Sequence, residues 1–304
     1  MTSIKEELSA DRKKRCMSKD SRPLSIRLAL IFFLLMPVQV LAVSVPDEEM
    51  VGELMDLSGL TQQIPRLPND YLTLVDQVLM GLERQRHPVS KGLRMQIRQS
   101  FADALMPERL KSEIRSRLIH GLSQDTTAAT VSWLQSDLGK KITAAELNAS
   151  SPEKSIQLAT FLLQLQLERP NPERLQLVRR VEEITKGSEL ATESWETVVS
   201  AIARALEVEY RTKDLQTREK LEEHLASVRG SMKSMFQQGR IFLVLFTYQN
   251  LTDEELKQYV EFLEAPVGRD VTQVMNAAVQ GTAISAIQNI NPPFFKTLGP
   301  QQRA

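Results

Sequence analysis

The amino-acid sequence predicts an all-α protein with two tandem copies of a helical-bundle unit, packed together and preceded by a signal peptide. Three observations support this prediction. Aromatic residues make up only 5% of the 304-residue chain, whereas Leu, Ala, Gln, Glu and Arg are plentiful, and this composition favours helices over strands. The chain opens with a basic and then an apolar segment. Related residue patterns recur about 129 positions apart, which is a sign of internal duplication.

The first 42 residues have the pattern of a secretory signal peptide. Leu28 to Met36 are nine uninterrupted apolar residues, which follow Arg27 and precede the helix breaker Pro37 and the small residue Ala42. This order predicts cleavage after Ala42, and Met17 offers an internal start that would shorten the basic region. An uncleaved anchor is the alternative, although the apolar stretch is shorter than the roughly 20 residues that span a bilayer. We therefore expect a periplasmic or secreted protein, bound to a membrane only if the signal segment is uncleaved.

The chain that follows the signal peptide is weakly acidic. Residues 1–42 hold eight of the 38 basic and four of the 38 acidic residues, which leaves 30 basic and 34 acidic residues, a net charge of −4. Binding to a phosphate backbone needs clustered Lys and Arg, so nucleic acid is not an expected partner. Cys16 is the only cysteine and precedes the apolar stretch. Residues 43–304 therefore contain no disulfide and no thiolate metal site.

Two segments of the chain align with each other without a gap. Residues 122–143 laid over 251–272 share five identities, and residues 54–58 match 181–185 more loosely at an offset of 127. This alignment predicts a first helical unit at 43–170 and a second at 171–304. The junction at 169–172 contains two prolines in three residues, which break one helix and allow another to begin.

The second unit contains the clearest motif. Thr252 and Glu255 have the spacing of a helix capping box. The next apolar residues, spaced three and four apart, predict one buried helix face, made of Leu256, Tyr259, Val260 and Leu263. We expect Pro266 and Gly268 to end this helix and to turn the chain into a second helix from about Arg269 to Asn289. Trp133 and Gly139 occupy the matching positions of the first unit, where Phe262 and Gly268 stand in the second.

The same motif carries a family resemblance. The run Thr252-Asp253-Glu254-Glu255-Leu256, followed by Phe262 and by Ala265-Pro266-Val267-Gly268, resembles the signature of an uncharacterised bacterial domain of unknown function found in exported helical proteins. The match is clearest in residues 250–290. The first unit departs from the signature, because Asp137 replaces the proline and Trp133 replaces the phenylalanine. The resemblance implies a helical fold and export from a bacterium, and it implies no activity and no site residues.

Two further patterns predict how the helices pack. Residues 241–246 are apolar on all sides, whereas their counterpart 112–117 is amphipathic. A helix that is apolar all round is expected to be buried all round, so the second unit should supply a central helix covered by the first unit or by a partner. A short buried strand is the alternative. Ala277, Gly281 and Ser285 are spaced by four and predict a small ridge in contact with a neighbouring helix, or else a homodimer seam.

The sequence predicts no catalytic, cofactor-binding or metal-binding residues. His87, His120 and His224 are far apart and none lies in a metal signature. Adjacent carboxylates such as Glu182-Glu183 point about 100° apart on a helix and do not converge on one atom. We therefore expect a non-enzymatic interaction or scaffold protein of the bacterial cell envelope, without a cofactor, whose partner is an unidentified protein or another copy of itself. The alternative is an envelope hydrolase whose carboxylates come together only in the fold.

Overall fold

The computed structural model describes residues 44–84, 89–151, 154–167, 170–210, 223, 232 and 234–290, and the structural statements that follow concern these residues. Their regular structure is helical throughout, without a β-strand. The predicted all-α class is therefore confirmed. The predicted signal peptide, His87, His224 and residues 168–169 of the predicted junction lie outside the described residues.

The described helices have the following order along the chain. They are α1 (Glu48–Leu57), α2 (Leu60–Gln63), a 3-10 turn (Ile64–Arg66), α3 (Leu67–Arg84), α4 (Lys91–Ala104), α5 (Pro107–Gly121), α6 (Gln124–Gln135), α7 (Asp137–Ala149), α8 (Ser155–Leu167), α9 (Pro172–Thr185), α10 (Gly187–Tyr210), α11 (234–247), α12 (Asp253–Glu264) and α13 (Pro266–Gln288).

Side-chain caps determine where several helices begin. The side chain of Asn171 accepts a hydrogen bond from the backbone N–H of Glu173, at 3.1 Å, and Pro172 takes the first helical position of α9. At α12 the Thr252 hydroxyl accepts from the Glu255 N–H at 3.1 Å, while the Glu255 carboxylate accepts from the Thr252 N–H at 2.9 Å. The predicted capping box is therefore confirmed, as is the helix start after the proline-containing junction.

The buried apolar residues form two clusters. The larger cluster joins α1, α3, α4, α5 and α10 to the long helix α13, and the smaller one joins α9 and α12 to the end of α11 and to Ile142 of α7. The rings of Trp133 and Phe262 contact both clusters. These two aromatic residues therefore lie where the two parts of the core meet.

The apolar segment 241–246 is not buried all round, and this prediction is wrong. Residues 244–246 are buried, whereas the side chain of Phe242 is 42% exposed. The segment lies within helix α11, so the alternative of a strand is wrong as well. The amphipathic counterpart belongs to α5, which packs against α13. The residues of α5 that become fully buried are spaced by four, and they are Leu110, Ile114 and Leu118. The apolar residues of α5, which are spaced regularly on one face, are thus more deeply buried than the continuous apolar segment 241–246.

Pro266 and Gly268 do not terminate α12, contrary to the prediction. The helix ends at Glu264, and Ala265 alone joins it to α13. Pro266 occupies the first position of α13, where its missing N–H costs no hydrogen bond. Gly268 lies inside α13, and a Cβ there would overlap the carbonyl oxygen of Phe262. The glycine is therefore needed for close approach of two helices and not for a left-handed turn.

The predicted small ridge of α13 makes only part of the expected contact. A Cβ at Gly281 would lie 3.1 Å from a guanidinium nitrogen of Arg117 in α5, so Gly281 does face a neighbouring helix. Ala277 is exposed, and the prediction is wrong there. The residues that α13 buries most deeply in this region lie one or two positions further along, at Ala278, Thr282 and Ala283. The packed face of α13 is therefore rotated by about one residue from the predicted ridge.

Candidate functional site

Two helical hairpins frame the candidate site. The first consists of α6 and α7, joined by Ser136, and the second consists of α12 and α13, joined by Ala265. Gly139 and Gly268 are each the third residue of the outgoing helix, and a Cβ on either would overlap the backbone at the end of the incoming helix. Each hairpin can therefore close this tightly only with glycine at that position.

The aromatic residues of the two hairpins stack on each other. The ring centroids of Trp133 and Phe262 are 3.9 Å apart, with an angle of 11° between the ring planes. Trp133 also stacks on Tyr259, with centroids 5.7 Å apart, and Tyr259 meets Tyr248 edge-on at 5.5 Å. These contacts form a continuous row of four aromatic rings, in which Trp133 of the first hairpin lies between Phe262 and Tyr259 of the second.

A partly buried carboxyl group lies at one end of this row. The Glu146 side chain, from α7, accepts hydrogen bonds from the Tyr248 hydroxyl at 2.6 Å and from the Tyr259 hydroxyl at 3.1 Å. Both hydroxyls donate to the same oxygen, Oε1. Burial raises the pKa of Glu146 above its ordinary value, and this effect outweighs the opposing effects of the two hydrogen bonds and of the Arg240 charge. Burial, with the nearby Glu146 charge, also raises the pKa of both tyrosines well above the usual range.

A cation, Arg240, lies in the same region. Arg240 approaches the buried carboxylate of Glu182, with 3.4 Å between Nε and Oε2. The other oxygen of Glu182 accepts a hydrogen bond from the Ser188 N–H at 2.6 Å. A Cβ at Gly187 would overlap the Arg240 guanidinium group, so the missing side chain leaves the space that this group occupies. Neither Arg240 Nε nor Glu182 Oε2 makes a hydrogen bond with a described residue, so charge attraction is what joins the pair.

The four aromatic residues, Glu146 and Arg240 line a cavity of about 450 Å³ between the hairpins and α11. This volume is within the range of about 300 to 1,000 Å³ that is usual for small-molecule sites. Ser150 lines the cavity and is also exposed, so the cavity reaches the surface there. Apolar side chains and polar side chains both contribute to the wall, and Glu146 and Arg240 are the charged groups among the described residues that line it.

The structure places the predicted motif residues in three different roles. Trp133 and Phe262 line the cavity. Gly139, Pro266 and Gly268 shape the hairpin turns. Thr252 and Glu255 cap α12, and the Glu255 carboxylate also accepts a hydrogen bond from Lys141 of the first hairpin at 2.6 Å.

The cap also perturbs the ionisation of Glu255. The hydrogen bond from Lys141, followed by the one from the Thr252 backbone, lowers the pKa of Glu255. The effect stabilises the charged form of a side chain that joins the two hairpins. Neither Thr252 nor Glu255 lines the cavity.

The sequence reasoning did not identify Glu146, Tyr248 or Arg240 as site residues. Tyr259 was predicted only as part of an apolar face. One signal was available in α7, where Glu146 follows the buried Ile142 by four positions and so shares its face of the helix. A carboxylate on a buried face is unusual and points to a special environment.

The remaining predicted residues lie elsewhere. His120 is in the last turn of α5, where its Nδ1 contacts the Ser116 carbonyl oxygen at 2.7 Å, as expected for a helix end. Within the described ranges, no group of three or more His, Cys, Asp or Glu residues could hold a metal ion. The same part of the chain has no helix with the length and apolar character needed to cross a bilayer.

In comparisons with known proteins, no family model, no curated protein and no solved structure matches this chain. The function therefore has to be inferred from the chemistry of the cavity itself.

Proposed function

We propose that this chain is an exported, non-enzymatic binding protein of the bacterial cell envelope, which takes a small ligand into the cavity between its two hairpins. The cavity is the observation that carries this proposal. It combines apolar side chains with polar ones, among them the charged groups of Glu146 and Arg240, and sites that orient one ligand combine apolar and polar groups in this way. A protein partner or self-association stays a prediction.

The polar groups in the cavity are arranged for binding. Glu146 already has two hydroxyl partners, and Arg240 has Glu182 beside it. Prearranged groups of this kind lose little conformational entropy when a ligand arrives, so they contribute affinity efficiently. A threonine from each hairpin, Thr143 and Thr272, adds a hydroxyl group to the wall.

Filling the cavity tests the proposal. The neutral fluorescent probe N-phenyl-1-naphthylamine should bind one site per chain, with a rise in its emission. Thr143→Trp places a large side chain in the wall and should abolish this binding, while Thr160→Trp, at an exposed position of α8, should leave it unchanged. Equal binding by both variants, with both folded by circular dichroism, would place the probe outside the cavity and contradict the proposal.

The two hairpins also support the proposal of internal duplication. Thr126 and Glu255 are equivalent at an offset of 129, and so are Lys141 and Asp270. The Thr126 hydroxyl donates to Asp270 at 2.9 Å, and Lys141 donates to Glu255 at 2.6 Å. Contacts that exchange in this way characterise two copies related by a two-fold axis. We infer a duplicated unit, with the cavity between its copies.

Other equivalent positions point the same way. Gly59 and Lys186, at the looser offset of 127, each follow a helix by one or two residues, and they are the residues with positive φ among those described. A left-handed residue thus ends this part of each copy. Superposition of residues 48–59 with 122–143 onto 175–186 with 251–272, in an experimental structure, tests the duplication. A failure to superimpose would contradict it and would leave the cavity proposal standing.

The export part of the proposal depends on the N-terminal pattern. Cleavage after Ala42 would leave a chain that begins at Val43. The mass of the protein recovered from the native envelope, together with N-terminal sequencing, tests this. A chain that retains residues 28–42 would instead indicate a membrane anchor.

A second candidate, an envelope hydrolase, is favoured by one observation. The raised pKa of Glu146 would suit a general acid that donates a proton to a leaving group. Among the described residues that line the cavity, Glu146 is the only carboxylate, whereas most glycoside hydrolases use a pair. Turnover of 4-nitrophenyl glycosides or esters that Glu146→Gln abolishes, and that Glu261→Gln on the exposed face of α12 does not, would support this candidate.

A further inference from the structure

We propose that the ligand of this cavity is an organic ammonium cation with an apolar body, whose charged end binds Glu146 beside the rings of Tyr248, Tyr259 and Trp133. This inference rests on the proposed binding function and specifies the class of ligand.

The charges in the cavity are unevenly paired. Arg240 has an acidic neighbour in Glu182, which is itself fixed by the Ser188 N–H. The direct partners of Glu146 are two neutral hydroxyl groups. The Arg240 charge acts on Glu146 without forming an ion pair with it, and a ligand ammonium group would give this partly buried carboxylate a directly bonded opposite charge. The ligand ammonium group would therefore form an ion pair with the Glu146 carboxylate.

The geometry at the carboxyl group leaves one oxygen for a ligand. Both tyrosine hydroxyls donate to Oε1 of Glu146, and no hydrogen bond from a described residue reaches Oε2. The tyrosines thus fix the orientation of the carboxyl plane, because two donors hold one oxygen in place. A charge-assisted hydrogen bond from an ammonium N–H to Oε2 would be stronger than a bond between neutral groups.

The aromatic row provides a second attraction for a cation. Tyr259 connects Glu146 to Trp133, since its hydroxyl contacts the carboxyl group and its ring stacks on the indole at 5.7 Å. Aromatic faces attract cations through the ring quadrupole, and Trp and Tyr do so better than Phe. Carboxylate and aromatic groups together are the combination that recognises organic ammonium ions.

The apolar side chains of the wall favour a ligand that has an apolar body. Leu243, Val244, Leu263, Val271 and Met275 all line the cavity. Burying apolar ligand surface against such side chains contributes about 25 cal/mol per Å². A small hydrated inorganic cation would leave most of this wall without a partner, so the ligand is an amphiphilic amine.

In the part of the chain that the structure describes, the hairpin occurs twice and the site once. At an offset of 129, the positions of Glu146, Tyr259 and Tyr248 correspond to Met275, Thr130 and Ile119. The carboxylate and both phenol groups are thus absent from the equivalent place in the other half. One ligand per chain is expected, bound toward the α7 side of the cavity.

Calorimetry with two probes of similar shape tests the inference. Phenethylammonium should bind the full exported chain with one site, and 2-phenylethanol should bind at least tenfold more weakly. Glu146→Gln should weaken phenethylammonium binding by about tenfold to a hundredfold, since it removes a charge-assisted hydrogen bond, and should leave 2-phenylethanol unchanged. Glu261→Gln, exposed on α12, is the matched control and should change neither.

The pH dependence gives an independent readout. The titratable groups around Glu146 are Tyr248, Tyr259 and Arg240, with Glu182 beyond Arg240. A bound cation favours the carboxylate, so binding should release a proton, and phenethylammonium affinity should rise as the pH rises through the pKa of Glu146 in the free protein. Heats measured in buffers of different ionisation enthalpy would count the released protons, and Glu146→Gln should remove the release.

The outcomes separate this inference from the proposed function. Equal affinity for both probes, unaffected by Glu146→Gln, overturns the ammonium site and leaves a cavity that binds apolar molecules. If 3-phenylpropionate binds more tightly than phenethylammonium, and Arg240→Gln abolishes its binding, the cavity binds anions. This result also overturns the ammonium site. Binding of N-phenyl-1-naphthylamine without binding of either phenyl probe overturns the inference alone. Loss of all binding overturns both.

Discussion

The two hairpins share their turns and differ in their chemistry. α6–α7 and α12–α13 each have a one-residue joint, and each needs glycine at the third position of the outgoing helix, at Gly139 and Gly268. In contrast, the position of Glu146 in the first hairpin is occupied by Met275 in the second, at the offset of 129. The residues that two hairpins share are those that backbone packing demands, whereas the residues that differ are free to build a site.

The largest expected effect comes from the shared glycines. Gly139→Ala and Gly268→Ala each force a Cβ into a neighbouring carbonyl group. Each substitution should lower the free energy of unfolding by about 3 kcal/mol, because backbone atoms cannot move aside as a side chain could. Urea denaturation of the two variants measures the losses, and similar values are expected for the two hairpins.

A third glycine provides the control for this test. Gly81 lies inside α3, and a Cβ there would meet no atom within 4 Å. Gly81→Ala should therefore raise the free energy of unfolding by about 0.5 to 1 kcal/mol through helix propensity. A loss at Gly268 without a loss at Gly139 would show that the hairpins are built on different principles.

The stacked pair between the hairpins should give the next largest effect. Trp133→Leu and Phe262→Leu remove one ring each from a stack with 3.9 Å between centroids. A double-mutant cycle should give a coupling free energy of about 1 kcal/mol, as is usual for stacked aromatic rings. The same cycle on Trp195 and Phe236, whose centroids are 6.5 Å apart, should give less. Additive losses at Trp133 and Phe262 would mean that the hairpins do not depend on this contact.

The difference between the hairpins should appear in the pH dependence of stability. Because the folded protein raises the pKa of Glu146 above its ordinary value of 4.5, the folded state holds this proton more tightly than the unfolded chain does. The contribution of Glu146 to stability is therefore greatest below pH 4.5, and it decreases as the pH rises from there to the raised pKa. Glu146→Gln removes this decrease.

Thermal denaturation as a function of pH measures this effect. The stability of Glu146→Gln relative to the natural chain should increase with pH above 4.5 and should then become constant. Met275→Leu, at the equivalent position of the second hairpin, should shift stability equally at every pH. If the stability of Glu146→Gln differs from that of the natural chain by the same amount at every pH, the carboxyl group is not desolvated in the folded protein.

Some of these features could be predicted from sequence because their causes are local. The Thr252–Glu255 cap depends on residues three apart, and the buried face of α12 depends on spacing within one helix. The role of Gly268 was misassigned, since the carbonyl group that it accommodates becomes close only once α12 and α13 fold together. Local patterns therefore predicted the elements, and they did not predict how two elements meet.

The candidate site could not be predicted from local sequence patterns. Tyr248 and Tyr259 reach Glu146 across sequence separations of 102 and 113 residues. In the sequence alone, a glutamate in an amphipathic helix reads as a solvated side chain, and a tyrosine at a core spacing reads as a core residue. Long-range packing brought them together, and the packing of the two hairpins is what a single pattern of periodicity cannot determine.

The smallest expected effect concerns the contacts that exchange between the hairpins. Lys141 pairs with Glu255, whereas the equivalent residues Asp270 and Thr126 make only a hydrogen bond at 2.9 Å. Thr126→Glu alone should lower stability by about 0.5 kcal/mol, because it brings a second carboxylate to Asp270 at an exposed site. Adding Asp270→Lys should restore the loss by making a second ion pair like that of Lys141, and the restoration should shrink in high salt. Denaturation at low and high ionic strength measures this, with Asp270→Lys alone as the control. If Asp270→Lys fails to rescue Thr126→Glu, the contacts of the two hairpins are not equivalent, and the inferred two-fold relation does not extend to their side chains.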